Sequence, residues 1–443
     1  MSATVYNLIL APKDLINSVD KDDFEDEDGK LDQSAYQAEI QRKRDEVADG
    51  LCAVRPDLDR ADLERRLEKE NSQYEVLLTN VEEGEAEAIR AFIEEHKTAY
   101  YLYLTPSTKR YYPFSALASQ VLGFVNTEGG VYGLEAGYED VLKGIPGRVV
   151  TGKTAKNVEM YNSYSNYIDA VNGYDLTLTL DSAIQSYCES ILKKGIEQFE
   201  VQDGGFCIAM DPNTGEILAW ANSPTYDLNN PRVVSDPVLN QYLADIESGA
   251  YTKEEAYQKA LAEGASSEEA RDKAVSAAET EVLYTQWTNK AITSTYEPGS
   301  TFKSIVLAAA LEEGVVTENS HFYCPGYIMV EGWSRPISCS KKAPGHGDQD
   351  LALAVANSCN PAFVKIGQAL GAEKFYDYLE DFGFLEKTGI DMQGEMDTSS
   401  LIWPREDFNT VQLATASFGQ RFQVTPIQLI TAASAVINGG HLM

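Results

Sequence analysis

The chain has 443 residues, 43% of them hydrophobic, with 69 acidic and 36 basic side chains and a formal net charge of −33. That length exceeds what one hydrophobic core usually serves, so two or more domains are expected, and the composition excludes a disordered chain. The charge balance argues against nucleic-acid backbones and anionic lipid surfaces as partners, and no run of 18 apolar residues marks a membrane span or signal peptide.

Residues 1–165 read as one unit. An apolar strand is predicted at 4–10, followed by an acidic segment at 20–28 and charged helices over 34–51, 61–70 and 83–96. Tyr100-Tyr-Leu-Tyr-Leu104 then reads as a strand by its β-prone residues. No catalytic constellation occurs in this part, which reads as a structural or docking module. A second unit, 166–443, follows a Tyr- and Asn-rich connection at 161–172. In it Asp175-Leu-Thr-Leu-Thr-Leu180 alternates with period two and predicts a strand, and 183–199 predicts an amphipathic helix. Residues 205–210 and 216–220 predict a hairpin around Asp211-Pro-Asn-Thr-Gly215. Residues 241–286 are rich in Ala, Glu and Lys and read as a helical surface insertion. Apolar helices come after it, with Gly-bearing loops between 325 and 347.

Tyr296-Glu-Pro-Gly-Ser-Thr-Phe-Lys303 carries the most chemistry. It puts Ser300 where a turn gives way to a helix and Lys303 one turn on, and positions i and i+3 share a helix face. The run Ile305-Val-Leu-Ala-Ala-Ala-Leu311 is apolar all round, as in a helix buried within a domain. A lysine at that depth has its pKa lowered and can serve as a base, while the helix N-terminus favours an oxyanion. Together these are the parts of an activated acyl-transfer nucleophile. Three other Ser-x-x-Lys tetrads lack that setting. Ser18–Lys21 runs into the acidic segment, Ser190–Lys193 lies on a charged helix with its lysine toward solvent, and Ser338–Lys341 lies in a loop.

Two further motifs are refused. Gly147-Arg-Val-Val-Thr-Gly-Lys-Thr154 fits a phosphate-binding pattern, but it has neither an apolar strand before it nor a good helix after it. Lys387-Thr388-Gly389 matches the third motif of serine acyl-transferases, yet it lies in a Gly-bearing stretch with no strand pattern. Ser358-Cys359-Asn360, by contrast, ends the apolar helical run 351–356 and precedes Pro361, so it belongs to a turn between helices. Its hydroxyl and amide can face one cavity, the serine to relay a proton and the asparagine to hold the lysine and a substrate amide. The alternative is ordinary helix capping. The four histidines and six cysteines show no metal-ligand spacing, so no metal site and no cofactor is expected.

These motifs, in this order, resemble the class B penicillin-binding proteins, peptidoglycan D,D-transpeptidases of the division and sporulation type. Arg110-Tyr-Tyr-Pro113, Leu117-Ala-Ser-Gln-Val-Leu-Gly123 and Gly133-Leu-Glu135 resemble the family's N-terminal pedestal, or dimerisation domain. Residues 211–227, Phe418-Gly-Gln420 and Val424-Thr-Pro-Ile-Gln428 resemble parts of its transpeptidase domain. The resemblance implies a multidomain α+β protein, a pedestal followed by a β-lactamase-like domain with an antiparallel sheet and helices. It implies that Lys303 deprotonates Ser300 and that Ser300 acylates on the D-Ala-D-Ala end of a stem peptide. Ser358 and Asn360 would complete the site, and β-lactams would trap the acyl-enzyme. It also implies a membrane anchor, an extracytoplasmic catalytic domain, and a partner glycosyltransferase with division or elongation proteins. The family's Lys-Thr-Gly strand lies beyond Asn438-Gly-Gly440, so the resemblance implies a chain cut at both ends, with little or no transpeptidase activity by itself. A β-lactamase or β-lactam sensor and a non-catalytic cell-wall scaffold are the alternatives. Cys359 within the Ser-x-Asn turn and Cys339 across the Gly-rich loop form a candidate redox pair whose disulfide would switch acylation off; the alternative is two unrelated cysteines.

Overall fold

The structure is a computed structural model that describes residues 2–26, 29–126, 128–145, 147–150, 166–168 and 170–443, with backbone only at 148–150 and 166–168. Two compact units divide the chain at Pro113/Phe114. The division precedes the compositional boundary at 165, because residues 114–145 contribute buried side chains to the second unit. Ala118, Val121 and Leu134 pack there with Ile217, Trp220 and Ile427.

The first unit is a three-stranded antiparallel sheet of Ser2–Leu10 between Glu75–Val81 and Leu102–Arg110, with helices Gln33–Val54, Arg60–Leu67 and Glu83–Glu95 among its connections. The strand predicted at 4–10 and the three predicted helices are present within a few residues at their ends, whereas the strand predicted at 100–104 starts at Leu102 and runs on to Arg110. Leu8, Leu10, Leu15, Val47, Leu51, Ile89 and Leu102 are among the residues of its core.

In the second unit helix Ser182–Phe199 lies beside the hairpin Gly205–Met210/Ile217–Ser223. The predicted strand at 175–180 is not formed. Thr179 Oγ1 donates to Ile217 O at 2.8 Å and Asp181 N–H to Leu218 O at 2.9 Å, but these contacts do not make a ladder. Period-two alternation specifies a face, and a strand also needs a paired edge. Residues 241–286 are largely helical, in Pro237–Ser248, Glu255–Ala262 and Ser267–Trp287 with short connections between them; the last helix buries Ala270, Ala274, Ala278 and Val282. The largest core of the unit gathers Phe302, Ile305, Val306, Phe363, Phe384 and Phe422 around the helix Lys303–Glu312. Leu311 of that helix is 42% exposed, so the helix buries one face rather than its whole circumference. Residues 148–150 pair with 166–168 as a short antiparallel ladder, and 151–154 of the phosphate-loop pattern lie outside the described residues.

Candidate active site

The nucleophile turn is set by glycine. Gly299 adopts φ +59°, and a single 3-10 turn, Gly299–Phe302, runs directly into the helix Lys303–Glu312. A second glycine is packed against it. Gly419 has φ +78°, its carbonyl accepts the Gly299 N–H at 2.8 Å, and a Cβ there would fall 2.0 Å from Gly299 O. Tyr296 and Val424 exchange backbone hydrogen bonds at 3.1 Å in both directions, and Arg421 N–H donates to Glu297 Oε1 at 2.8 Å. Phe302, 1% exposed, wedges between Phe375, Phe384 and Phe422 and anchors the start of the helix. The sequence marked 418–428 only through family likeness; its part in holding the turn comes from long-range pairing that no local pattern announces.

Lys303, 4% exposed, brings the two motifs together. Its Nζ donates to Ser358 O at 2.8 Å, Asn360 Oδ1 at 2.8 Å, Ser358 Oγ at 2.9 Å and Ser300 Oγ at 3.2 Å. Ser358 Oγ in turn donates to Ser300 Oγ at 3.0 Å. Two of these partners, a backbone carbonyl and an amide oxygen, can only accept, so they occupy two N–H groups whether the lysine is charged or neutral. The third valence therefore faces the two hydroxyls. It is an N–H in the ammonium and a lone pair in the amine, and the amine can take a proton from either serine. Asn360 is held in the required orientation because its Nδ2 donates to Ser338 O at 3.1 Å.

Ser358 reaches this position through backbone strain. Its φ is +47°, rare for a non-glycine residue, and it lies just past the helix Leu351–Ala356. The same turn makes Cys359 the N-cap of the helix Asn360–Leu370, so both side chains of the Ser-x-Asn motif face Lys303. Burial pushes the Lys303 ammonium down to about 8, opposed in smaller part by the thiols of Cys339 and Cys359. At neutral pH roughly one molecule in ten then carries the free amine. The ring of Phe363 lies 5.3 Å from Nζ and walls off that side.

The structure thus brings Ser300, Lys303, Ser358 and Asn360 into one hydrogen-bonded group. Cys339 and Cys359 also approach, with their Sγ atoms 3.9 Å apart as free thiols. Two residues that sequence reasoning missed join them. The ligand atoms of Cys324, Cys339, His346 and Cys359 all lie within 4.8 Å of one another, directly behind the Ser-x-Asn turn. Spacing along the sequence gives no sign of this set, because it is assembled from four separated positions. Two of the refused copies behave as read, whereas Ser338 of the third tetrad belongs to the short strand Ile337–Ser338 rather than to a loop. Lys193 points to solvent, and Thr388 and Gly389 close a local loop on the buried Glu395 instead of lying on a strand.

A Ser-x-x-Lys turn and a Ser-x-Asn turn meeting at one buried lysine belong to the serine acyl-transferase class. Residues 205–443 match the model of the penicillin binding protein transpeptidase domain, and residues 26–178 match that of the penicillin-binding protein dimerisation domain. The chain belongs to the penicillin-binding protein transpeptidase family. It is 37% identical over 343 residues to stage V sporulation protein D of Bacillus subtilis, covering 77% of this chain and 45% of that protein. It is 27% identical over 329 residues to the peptidoglycan D,D-transpeptidase FtsI of Escherichia coli, covering 74% of this chain and 46% of that one. The chain therefore spans about half the length of the curated relatives it matches. The fold is shared with penicillin binding protein 2X from Streptococcus thermophilus, with a TM-score of 0.63, 20% identity, and 98% and 56% of the two chains covered. Penicillin-binding protein PBP2 of Helicobacter pylori, solved in complex with MreC, gives a TM-score of 0.64 at 22% identity, over 99% and 73%. No helix among the described residues is long and apolar enough to cross a membrane.

Proposed function

We propose that the full-length protein is a peptidoglycan D,D-transpeptidase that works through an acyl-enzyme on Ser300. The observation that carries the reading is the closed triangle of Lys303 Nζ, Ser300 Oγ and Ser358 Oγ, with sides of 3.2, 2.9 and 3.0 Å. The neutral Lys303 amine removes the Ser300 proton as Oγ attacks the carbonyl carbon of the penultimate D-Ala of a stem peptide. The oxyanion that forms lies near the helix N-terminus. The C–N bond to the terminal D-Ala then breaks, and the proton passes from Lys303 through the Ser358 hydroxyl to the departing amine. An amine of a neighbouring stem attacks the ester and gives its proton to Lys303, the C–O bond to Ser300 breaks, and Lys303 passes that proton to Ser300 Oγ, which restores both groups with the cross-link made. Asn360 holds Lys303 in place and offers its amide edge to the substrate backbone. A penicillin mimics the D-Ala-D-Ala end, but its opened ring stays tethered and the ester persists.

In this reading the transpeptidase domain acts outside the plasma membrane, beside a membrane glycosyltransferase and division or elongation proteins. The names of the relatives, a sporulation protein and a peptidoglycan D,D-transpeptidase, support a role in building wall peptidoglycan. The test is mass spectrometry of the full-length protein after brief exposure to a penicillin. One adduct per chain is expected on the peptide that contains Ser300, persisting for many minutes and absent from Ser300→Ala. An adduct elsewhere, or none, would sink the proposal, and rapid release of hydrolysed penicillin would make the protein a β-lactamase instead.

A further inference from the structure

We propose that Cys324, Cys339, Cys359 and His346 form a structural zinc site that clamps the Ser-x-Asn turn. A tetrahedral zinc ion with metal–sulfur bonds of about 2.3 Å and metal–nitrogen bonds of about 2.0 Å sets its ligands about 3.8 Å apart for a sulfur pair and about 3.5 Å for a sulfur–nitrogen pair. The structure has Cys339 Sγ 3.9 Å from Cys359 Sγ and 3.5 Å from His346 Nδ1, and all four ligand atoms lie within 4.8 Å. Three thiols and one imidazole are a complete structural donor set, with no place left for water.

Local structure converges on these four side chains. Cys324 ends the strand His321–Cys324, which pairs with Gly347–Asp350 in a register that sets Cys324 opposite Gly347, next to His346. Cys339 N–H donates to Gly326 O at 2.9 Å, which fixes the third segment. Gly345 has φ +75°, and a Cβ there would fall 2.3 Å from Cys324 O, so the loop is drawn in as tightly as a backbone allows. The cysteines are buried, at 0%, 4% and 0% exposure for 324, 339 and 359. Behind them the buried Gln349 Nε2 has no hydrogen-bond partner among the described residues, while its Oε1 accepts from Asn357 Nδ2 at 3.1 Å. A free, buried amide N–H is the kind of outer-sphere donor that metal-bound sulfur commonly receives.

A Cys339–Cys359 disulfide is the competing use of these atoms. It would need the sulfurs at about 2.05 Å rather than 3.9 Å, and it would leave Cys324 and His346 without a role. Zinc uses all four. Binding one Zn²⁺ converts three thiols to thiolates, releases their protons to solvent and leaves the cluster with one net negative charge. The clamp has a direct mechanical outlet, because Cys359 lies between Ser358 and Asn360, and Asn360 Nδ2 is bonded to the carbonyl of Ser338, the neighbour of Cys339.

The test is metal content in full-length protein purified without chelator and with its affinity tag removed. About one zinc per chain is expected, and after chelation Co²⁺ alone should give the visible bands of a tetrahedral, thiolate-rich site. Cys324→Ser and His346→Ala should each lower the zinc content several-fold, while Cys207→Ser, outside the cluster, should keep it. The cobalt spectrum of the unaltered protein serves where a variant fails to fold. Folded, reduced protein that binds neither Zn²⁺ nor Co²⁺ would overturn the proposal, as would a Cys339–Cys359 disulfide that persists in protein prepared with zinc. A further consequence rests on the acylation reading: removing the metal should slow penicillin labelling of Ser300 on the order of 10- to 100-fold, the cost of a displaced catalytic group. The metal measurements do not depend on that reading, so the two can fail separately.

Discussion

The chain writes Ser-x-x-Lys on two helices, and the two copies differ in every respect but spelling. In Ser182–Phe199 the tetrad Ser190–Lys193 is mid-helix, its serine exposed, and the lysine side chain is 78% exposed with Glu197 4.0 Å away. At Ser300–Lys303 the serine precedes the helix on a glycine-set turn, and the lysine is 4% exposed among acceptors supplied 55 to 57 residues later. The tetrad supplies i, i+3 proximity in both places. Reactivity comes from what the second copy adds, which is burial that lowers the lysine pKa and carbonyls that orient its lone pair.

The sharpest way to break that comparison is to remove each lysine. Lys303→Met should slow acylation of Ser300 by penicillin by about a thousandfold or more, as expected for loss of a general base in a coupled group. Lys193→Met should leave the rate within about twofold, as for an exposed residue remote from the chemistry. Stopped-flow or quenched labelling at saturating penicillin reads both. Because the base is the neutral amine and Lys303 titrates at about 8, the wild-type acylation rate should climb about tenfold per pH unit below that value and level off above it. A flat profile from about pH 6 to about pH 9 would refute the assignment of Lys303 as base.

The contrast also explains how much could be read in advance. Ser300 and Lys303 are three residues apart, and the apolar run after them reports the burial, so the pair was legible from local pattern. Ser358 and Asn360 were legible as a motif, but the left-handed backbone at Ser358 that turns both toward Lys303 was not. The first unit was easy to read because its first strand is an apolar run, its last strand opens on β-prone residues, and its helices are long charged stretches. Residues 175–180 alternate as cleanly and still make no strand, since strand identity depends on an edge contributed elsewhere. The cluster of Cys324, Cys339, His346 and Cys359 was invisible for a related reason. The two-residue strands Tyr327–Ile328 and Ile337–Ser338, joined by loops, carry no periodic signal, yet they set the distances between the ligands.

A smaller effect is expected at the relay. Ser358→Ala removes a hydroxyl that touches both Lys303 and Ser300 but leaves the backbone carbonyl of residue 358 on Nζ. Acylation should fall about 10- to 100-fold, with the pH profile keeping its inflection near that of wild type because burial, its main cause, is unchanged. Ser358→Gly keeps the same loss and relaxes the φ of +47°, so it separates the two contributions of the residue. If it is more stable than Ser358→Ala by about 1 kcal/mol in urea unfolding, then strain at this turn is held for the sake of the hydroxyl. Equal stability of the two variants would contradict that.

The smallest effect is on stability rather than rate, and it sharpens the same contrast. Lys303 titrates at about 8 in the folded protein against an ordinary value of 10.5, so between those values the unfolded chain binds the extra proton. Stability therefore rises with pH through that window, by at most about 1.4 kcal/mol per unit from this one group. Below about pH 8 the folded lysine is charged as well, and the full burial penalty is present. Other groups titrate over the same range, so the measurable quantity is the difference between wild type and Lys303→Met in urea unfolding at about pH 7.5 and about pH 9.5. Wild type should gain about 1–2 kcal/mol on the variant over that interval. A difference that stays constant with pH would mean that Lys303 does not exchange its proton on folding. The buried copy of the tetrad would then be set apart from the exposed one by its contacts alone.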